Sequence, residues 1–179
     1  FQAGFNASML SMENIGWNNS NFVDLNNQPI SNLFKLYPWE WIWEENFSQF
    51  LKPETEWIEP CWKMLLSNKA LLIELWKRFP NHPLLLETHA YDAHAHYAGK
   101  WVRKPILARE GANIHILQNN IDCGAASGSF YFDDYDKYGY VMQRWVKTPL
   151  HEGMLPTLGL WMVGDECAGM SLREDVFDV

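Results

Sequence analysis

A lysine followed by a glycine-containing turn is the feature of this sequence that most directly suggests chemistry. Lys104 ends a predicted strand that begins near Trp101, and a turn with Glu110 and Gly111 leads into the next strand. Backbone N–H groups of such a turn can point at a polyphosphate, and the lysine supplies a point charge beside it. The segment predicts a flap over phosphate groups, and the same pattern is also typical of an ordinary charged hairpin. It is not a Walker A loop, because no Gly-Lys-Ser/Thr follows.

A second group of polar side chains offers metal ligands. It consists of His89, Asp92, His94 and His96. On a strand, His94 and His96 would share one face and could chelate a metal. The interleaved Tyr, Ala and Asp residues favour a solvated turn instead. Metal binding by this cluster is kept as a third possible function.

Neither the acidic run at 133–136 nor the cysteines are interpreted as catalytic. The run Asp133-Asp134-Tyr-Asp136 lacks the Gly and the terminal Glu of an EF-hand loop, so we expect a solvated acidic loop. The cysteines are widely spaced without a Cys-x-x-Cys motif, which favours a reducing, cytoplasmic compartment over a disulfide framework or a zinc ribbon. They are Cys61, Cys123 and Cys167.

The elements that must position these residues are predicted to be antiparallel hairpins flanked by helices, which is an α+β class. We expect a hairpin over 21–35 with Asn-Asn-Gln-Pro at its turn. A helix is expected from Pro38, with Trp39, Trp43 and Phe47 on one face.

Further elements are predicted in the rest of the chain. Ser67 or Asn68 can cap a helix over 69–79, and Pro80 ends it. Strands are expected from Trp101 to Pro105 and over 113–117 and 139–146, with a short strand or loop near 57–59. The His-rich stretch before Trp101 and the Gly/Ser/Asp stretch after 117 are expected to be irregular. Two apolar runs around Gly164-Asp165 predict a hairpin over 157–172.

Length, composition and charge exclude several classes of protein. The 179 residues suffice for one ordinary domain or two small ones, and 47% hydrophobic against 20% charged residues excludes a disordered tail. No apolar run reaches the length of about 18 residues that a membrane helix needs, so no membrane partner is expected. A net charge of −8 without a basic stripe argues against a nucleic-acid partner. The 15% aromatic content predicts a surface rich in ligand or interface contacts.

Several short motifs occur in one order along nearly the whole chain. Those ahead of Lys104 are Lys35-Leu-Tyr-Pro-Trp-Glu-Trp, Glu59-Pro-Cys-Trp-Lys, Ser67-Asn-Lys-Ala-Leu-Leu and Phe79-Pro-Asn-His-Pro-Leu-Leu-Leu. Those after it are Val141-Met-Gln, Leu158-Gly-Leu-Trp-Met-Val-Gly-Asp, Ala168-Gly and Leu172-Arg-Glu-Asp. In this order they resemble the synthetase domain of the glutathionylspermidine synthase family, a group of ATP-grasp amide ligases.

The resemblance implies an ATP-grasp-like fold and a ligase reaction. Such an enzyme joins a carboxylate to an amine through an acyl-phosphate made from ATP and Mg²⁺. The expected substrates are a glutathione-like carboxylate and a polyamine-like amine, and the metal ligands are expected upstream of this chain. The chain is interpreted as a piece of a longer synthetase, with about 1–60 as a substrate-side lobe and about 61–179 as nucleotide-gripping lobes.

Residue roles are likewise implied by the resemblance alone. Arg173 matches an arginine that stabilises the charge on the transferred phosphoryl group, and Trp41 falls near the thiol-peptide substrate. The nucleotide contacts are expected at two lysines, the flap, a strand end and a threonine, namely Lys69, Lys104, Glu110, Gly111, Gln143, Arg144, Trp145, Val146 and Thr157. The main alternative function is a nucleotide-binding homologue without ligase activity that acts as a regulatory or assembly module.

Overall fold

Helices and mainly antiparallel sheets make up the computed structural model of the chain, which belongs to the α+β class as predicted. It describes residues 4, 6–51, 54–126, 129, 131 and 133–176. The chain divides into two units, Phe1–Ser67 and Asn68–Val179. None of the helices in the described ranges has the length and hydropathy needed to cross a bilayer.

The first unit is built from short elements around a cluster of aromatic rings. Trp17 stacks on Phe50 with 4.7 Å between ring centroids, and Trp57 meets the edge of Phe22 at 5.6 Å. Such ring pairs stabilise a core beyond the area they bury. The elements are strands β1 (Gly16–Trp17), β2 (Phe22–Val23), β3 (Asn32–Phe34) and β4 (Glu56–Ile58), helices α1 (Trp39–Glu44) and α2 (Met64–Ser67), and 3₁₀ segments Met12–Asn14, Asn46–Phe50 and Cys61–Lys63.

The hairpin predicted over 21–35 is right about the chain reversal and wrong about the strand pairing. The Asp24 carboxylate accepts the Gln28 N–H at 2.8 Å and closes the turn. Beyond a single bridge between Val23 and Pro29, however, β2 pairs with β1, and β3 runs parallel to β4. The Ile30 N–H still donates to the Phe22 carbonyl at 2.8 Å beside this bridge, but the pairing goes no further, because the chain then continues into β3 and pairs with β4.

The helix predicted from Pro38 begins there, but it is too short to carry three aromatic residues on one face. α1 ends at Glu44, and Glu45 is extended with ψ 155°. Phe47 therefore lies in the separate 3₁₀ segment, while Trp39 is 3% exposed and Trp43 is 48% exposed. The Glu45 carboxylate accepts the Tyr37 hydroxyl at 2.5 Å, a tertiary contact that the helical spacing did not include.

The second unit contains a five-stranded antiparallel sheet in the order β5-β9-β6-β7-β8. Helix α3 (Leu71–Arg78) precedes it and is shorter than the predicted 69–79. Its N-cap is Ala70 without a side-chain cap, so the predicted cap at Ser67 or Asn68 is wrong; Asn68 instead accepts the Ala70 N–H at 2.8 Å in the turn before the helix. The strands are β5 (Thr88–Ala90), β6 (Lys100–Pro105), β7 (His115–Gln118), β8 (Ile121–Ala125) and β9 (Tyr140–Arg144), with a 3₁₀ segment Asp133–Tyr138 before β9.

The sequence predicted the three central strands of this sheet and missed both edge strands. β5 and β8 lie in stretches that were expected to be irregular. Both are short, and β8 (Ile-Asp-Cys-Gly-Ala) lacks apolar alternation. Their pairing with β9 and β7 decides their conformation, and local propensity does not.

A long hairpin of β10 (Leu155–Val163) and β11 (Glu166–Asp175) confirms the prediction around Gly164-Asp165. Alternation and register give it two chemically different faces. One face carries the apolar side chains Leu158, Leu160, Met162, Cys167, Met170 and Leu172, which are exposed. The other face carries Thr157, Gly159, Trp161, Ser171 and Arg173.

The core of the second unit predicts a stability effect. Met142 is 0% exposed and packs in one cluster with Tyr97, Trp101 and Leu117. Met142→Ala should lower the free energy of unfolding by about 2–5 kcal/mol, because it removes buried methylene groups and leaves a cavity. Urea denaturation followed by circular dichroism measures this change. Met9→Ala is the matched control, since Met9 is 96% exposed; equal effects of the two substitutions would contradict the assigned core.

Candidate functional site

A cleft of about 200 Å³ lies on one face of the five-stranded sheet. The register pairs Val102 of β6 with Gln143 of β9, and strand alternation puts Lys104 on the same face. The cleft is lined by Leu86, Val102, Lys104, Ile114, Ile116, Ala126, Gln143, Arg144, Trp145, Val146 and Thr148. Its wall combines polar and apolar groups in about equal measure, and its volume is below the roughly 300–1,000 Å³ of a complete small-molecule site.

A chain of hydrogen bonds across three strands holds the lysine of the cleft. Lys104 Nζ donates to Gln143 Oε1 at 2.9 Å, and Gln143 Nε2 donates to Thr88 Oγ1 at 3.2 Å. The Thr88 hydroxyl in turn donates to the Leu86 carbonyl at 2.9 Å. Thr88 and Gln143 are buried, so their polar groups need these partners. The ammonium group is therefore directed by its neighbours on β9 and β5.

Arg144 at the end of β9 and Trp145 after it contact residues at the start of the neighbouring strand β6 or just before it. Arg144 Nη1 donates to the Ala98 carbonyl at 2.8 Å, and its guanidinium lies 4.9 Å from the Trp101 ring centroid. The ammonium of Lys100 lies 3.7 Å from the centroid of a Trp145 ring. Lys104, Gln143, Arg144, Trp145 and Val146 were all predicted as nucleotide contacts, and all five line this one cleft.

The predicted flap is the connection between β6 and β7, residues 106–114, and its backbone is tightly held. Glu110 and Gly111 adopt φ of +55° and +75° in the left-handed region, which for Gly111 carries no steric penalty. The Ser129 hydroxyl donates to the Gly111 carbonyl at 2.6 Å and accepts the Ile114 N–H at 3.0 Å. Of the described flap residues, Ile114 lines the cleft, whereas Glu110 and Gly111 lie outside its lining.

Lys69 contacts the flap and is not part of the cleft lining. Its backbone N–H donates to the Ile106 carbonyl at 3.0 Å, and its Nζ donates to the Ala108 carbonyl at 2.9 Å. The side chain thus bridges from the turn before α3 to the first half of the flap. The sequence paired Lys69 with Lys104 as two nucleotide lysines, whereas in the structure the two have different partners.

Asp136 is the residue of this region that sequence reasoning missed. The Asp136 carboxylate accepts hydrogen bonds from Asn113 Nδ2 at 2.7 Å, from Tyr131 Oη at 2.8 Å and from Tyr140 Oη. It is therefore not the solvated loop residue that was expected from the acidic run. Asn113 is 23 positions away in the sequence, so no local spacing signals the pair.

The electrostatics around Asp136 follow from these partners. Burial by itself would raise the pKa of Asp136, but the hydrogen bonds from Tyr140, Asn113 and Tyr131 and the nearby Arg103 outweigh it and hold that pKa below its usual range. Burial and the bond to Asp136 together raise the pKa of Tyr140 to about 12. Arg103 lies over the rings of Tyr91 and Tyr140, 5.5 and 5.0 Å from their centroids.

Arg173 and Thr157, the two candidates in the hairpin, are direct partners on the β10–β11 ladder. Side chains that face each other in this way lie about 5 Å apart at their Cβ atoms. Both residues are exposed on the more polar face of the hairpin, and neither belongs to the lining of the cleft. The structure thus brings these two predicted residues together as a pair.

Trp41, the predicted substrate contact, belongs to the first unit. Its ring meets the edge of Tyr37 at 5.3 Å. The hydrogen bond from Tyr37 to Glu45, together with burial, raises the pKa of the Tyr37 phenol to about 12. Trp41 is partly exposed, so part of its surface stays accessible.

The histidine cluster does not assemble into a metal site. His89 lies at the centre of β5 and pairs with Glu87 at 3.0 Å, whereas His94 and His96 lie in the following loop. The Asp92 carboxylate accepts the His94 N–H at 2.8 Å. Within the described ranges, no three His, Cys, Asp or Glu side chains come together in a way that could hold a metal ion.

Comparison with known protein families identifies the family of the chain. The sequence model described as "Glutathionylspermidine synthase preATP-grasp" matches residues 1–179. The chain belongs to the glutathionylspermidine synthase family. This confirms the resemblance drawn from the motifs. The description names the pre-ATP-grasp part, so an ATP-grasp fold for these residues stays a prediction.

Relatives in the glutathionylspermidine synthase family carry names of ligases and synthetases. A Haemophilus influenzae protein named "Putative acid--amine ligase" is 47% identical over 98% of this chain and 46% of its own length. The bifunctional glutathionylspermidine synthetase/amidase of Escherichia coli is 25% identical over 97% of this chain and 32% of its own length. The trypanothione synthetase of Crithidia fasciculata is 25% identical over 86% of this chain and 26% of its own length. The chain thus spans less than half the length of these relatives.

The carboxylate of Asp136 predicts a pH effect in this member of the glutathionylspermidine synthase family. Because its pKa is lower in the folded than in the unfolded chain, Asp136 stabilises the fold above an unfolded pKa of about 3.9, and this contribution is lost as the pH falls through the folded pKa. Asp136→Asn should therefore reduce the urea midpoint at pH 7 and flatten its further decline below about pH 4. A decline as steep as that of the wild type would contradict this assignment.

Proposed function

We propose that the whole protein is an ATP-dependent carboxylate–amine ligase and that the cleft and the flap of this chain bind its nucleotide. The observation that carries the proposal is the position of Lys104, which Gln143 and Thr88 hold at the wall of a cleft lined by the end of β9. The names of the relatives, a ligase and two synthetases, support the reaction class.

Lys104 would recognise the phosphates of ATP by charge, and the end of β9 would recognise the adenine by shape. The ammonium of Lys104 would bind a phosphate oxygen by a charge-assisted hydrogen bond. Residues Gln143, Arg144, Trp145 and Val146 would bind the adenine, with the backbone after β9 offering N–H and C=O groups to the edge of the base. A cleft of about 200 Å³ suits a base better than a whole nucleotide, so the phosphates would extend beyond it.

The flap would cover the phosphates. Glu110 and Gly111 lie at its turn, where a residue without Cβ allows the backbone to approach a ligand closely. Lys69, which binds the Ala108 carbonyl, would hold the flap in position and stand near the phosphates. We assign Lys69 both tasks within the nucleotide site.

The chemistry proposed for the whole protein has two steps. A carboxylate oxygen of a glutathione-like substrate attacks the γ-phosphorus of ATP, and ADP leaves with the electron pair of the broken P–O bond. A polyamine-like amine, in its neutral form, then attacks the acyl carbon; inorganic phosphate leaves with the electron pair of the broken C–O bond, and the nitrogen releases a proton to solvent as the amide forms. Mg²⁺ would neutralise the phosphate charge. Among the described residues no three His, Cys, Asp or Glu side chains cluster to hold a metal ion, and no step is assigned to a metal here.

Arg173 and Trp41 have separate proposed roles, one in each unit. The guanidinium of Arg173 would stabilise charge that develops on the transferred phosphoryl group, with Thr157 beside it as a nucleotide contact. Trp41 of the first unit would contact the carboxylate substrate. By this division about 1–60 serves the substrate and about 61–179 the nucleotide, close to the boundary at Ser67 between the two units.

Removing the lysine of the cleft is the direct test of nucleotide binding. In the whole protein, Lys104→Ala should weaken ATP binding at least about tenfold in calorimetry, because a charge-assisted bond to phosphate contributes on the order of 1.5–3 kcal/mol. Lys77→Ala is the matched control, since Lys77 is an exposed lysine of α3 that pairs with Glu74. Unchanged affinity of the Lys104 variant would remove the cleft as the nucleotide site.

An ADP-release assay on the whole protein tests the ligase reaction. ADP should appear when ATP, a carboxylate such as glutathione and a polyamine are all present. Arg173→Ala should lower kcat by about 10²-fold or more with little change in ATP affinity, as expected for a contact made in the transition state. Arg78→Ala, an exposed arginine at the end of α3, controls for the change in charge. ATP binding without ADP release for any carboxylate–amine pair would favour the nucleotide-binding homologue without ligase activity.

A further inference from the structure

Both ends of the flap are tied to one short segment of the chain, residues 136–140. At the start of the flap, the Ile106 N–H donates to the Gly139 carbonyl at 3.0 Å. At its end, Asn113 Nδ2 donates to the Asp136 carboxylate at 2.7 Å. The segment closes on itself, because the Gly139 N–H donates to the Asp136 carbonyl at 3.3 Å. The flap is therefore a loop whose two ends share one anchor.

The anchor at Asp136 is stronger than an ordinary surface contact. Both carboxylate oxygens are engaged, one by Asn113 and Tyr140 and the other by Tyr131. Asn113 is 3% exposed and adopts φ of +55°, a left-handed conformation that asparagine tolerates better than most residues. Hydrogen bonds to a charged group are stronger than those between neutral groups, and a buried amide that loses its partner carries the full desolvation penalty. This carboxylate, together with the Ser129 hydroxyl that binds Gly111 and Ile114, thus holds the end of the flap.

The same segment leads directly into the wall of the cleft. Tyr140 begins β9, and three residues later Gln143 holds Lys104. Pro105, the last residue of β6 before the flap, pairs with Tyr140 on the ladder. The anchor of the flap and the anchor of the lysine therefore belong to one continuous stretch, 136–143. Displacement of the end of the flap from this stretch would break the bond between Asn113 and Asp136.

We propose that Asp136 is a positioning residue that fixes the flap beside the cleft and thereby sets the affinity for the nucleotide. The proposal rests on the proposed function for the identity of the ligand. Asp136 itself would not touch the nucleotide, since it acts through Asn113 and the flap backbone. Its negative charge serves to bind an amide and two phenols.

The test compares two carboxylates of the same sheet in the whole protein. Asp136→Asn removes the charge that holds the flap. Asp122→Asn removes a carboxylate that likewise lies near Arg103, at 3.5 Å, and that binds His115 and the Gly124 N–H, with no bond to the flap among the contacts described. Hydrogen–deuterium exchange of peptides covering 106–114 and calorimetric titration with ATP are measured on both variants. Asn113→Ala serves as a second route to the same loss should Asp136→Asn fold poorly.

We expect Asp136→Asn and Asn113→Ala to speed amide exchange in the flap and to weaken ATP binding by about tenfold, a loss that corresponds to one hydrogen bond to a charged group. Asp122→Asn should change neither readout. The double variant Asn113→Asp with Asp136→Asn exchanges donor and acceptor, so it should recover part of the affinity. Such a rescue would show that the bond between side chains 113 and 136, and not the charge at 136 by itself, sets the affinity.

Two results would overturn the role of Asp136 while leaving the proposed function intact. One is ATP binding by the wild type together with unchanged flap exchange in both variants. The other is faster amide exchange in the flap of the variants with unchanged ATP affinity. Failure of the wild type to bind ATP at all would overturn the proposed function, and with it the nucleotide part of this role. The titration of the wild type with ATP therefore distinguishes failure of the role of Asp136 from failure of the proposed function.

Discussion

The buried amide of Gln143 is the constraint on which the rest of the candidate site depends. Its oxygen accepts from Lys104 and its nitrogen donates to Thr88, so one side chain connects three neighbouring strands. An amide in this position is costly to bury without both partners. The order β5-β9-β6 supplies them on either side, which links the position of a charged group at the surface to the pairing of the sheet beneath it.

The two faces of the same sheet perform different tasks because alternate residues of one strand point in opposite directions. On β6, Val102 and Lys104 line the cleft, whereas Trp101 packs in the core cluster and Arg103 lies over tyrosine rings. Neighbouring basic residues therefore have unrelated environments. Lys104 meets a cleft, and Arg103 contributes to the charge balance around Asp136. The cleft thus lies on one face of the sheet, and the core cluster and the tyrosine contacts of Arg103 lie on the opposite face.

The sequence predicted those elements whose conformation is determined by local residue patterns. The hairpin β10–β11 and the central strand β6 follow from apolar runs and turn residues. The cleft residues 104 and 143–146 were grouped by the family resemblance alone, and they meet because β6 and β9 are neighbours, a pairing that the sequence did not predict. The helix at Pro38 was predicted too long, because tertiary contacts of Tyr37 and Glu45 end it at Glu44. Asp136 was misread for the same kind of reason, since its partner Asn113 is distant in sequence and no spacing rule connects an aspartate to an amide across a sheet.

The irregularity in the β10–β11 hairpin has an evolutionary consequence. Trp161 pairs with Gly169 but Met162 pairs with Cys167, so Ala168 is an extra residue in β11 that lies between the turn and Arg173. A shift of one position in this ladder would turn Arg173 to the apolar side and bring Leu172 to the side of Thr157. Single insertions or deletions between Met162 and Gly169 should therefore survive selection only where a bulge absorbs them. The hairpin can change its length in steps of two residues and still keep its arginine on the same side.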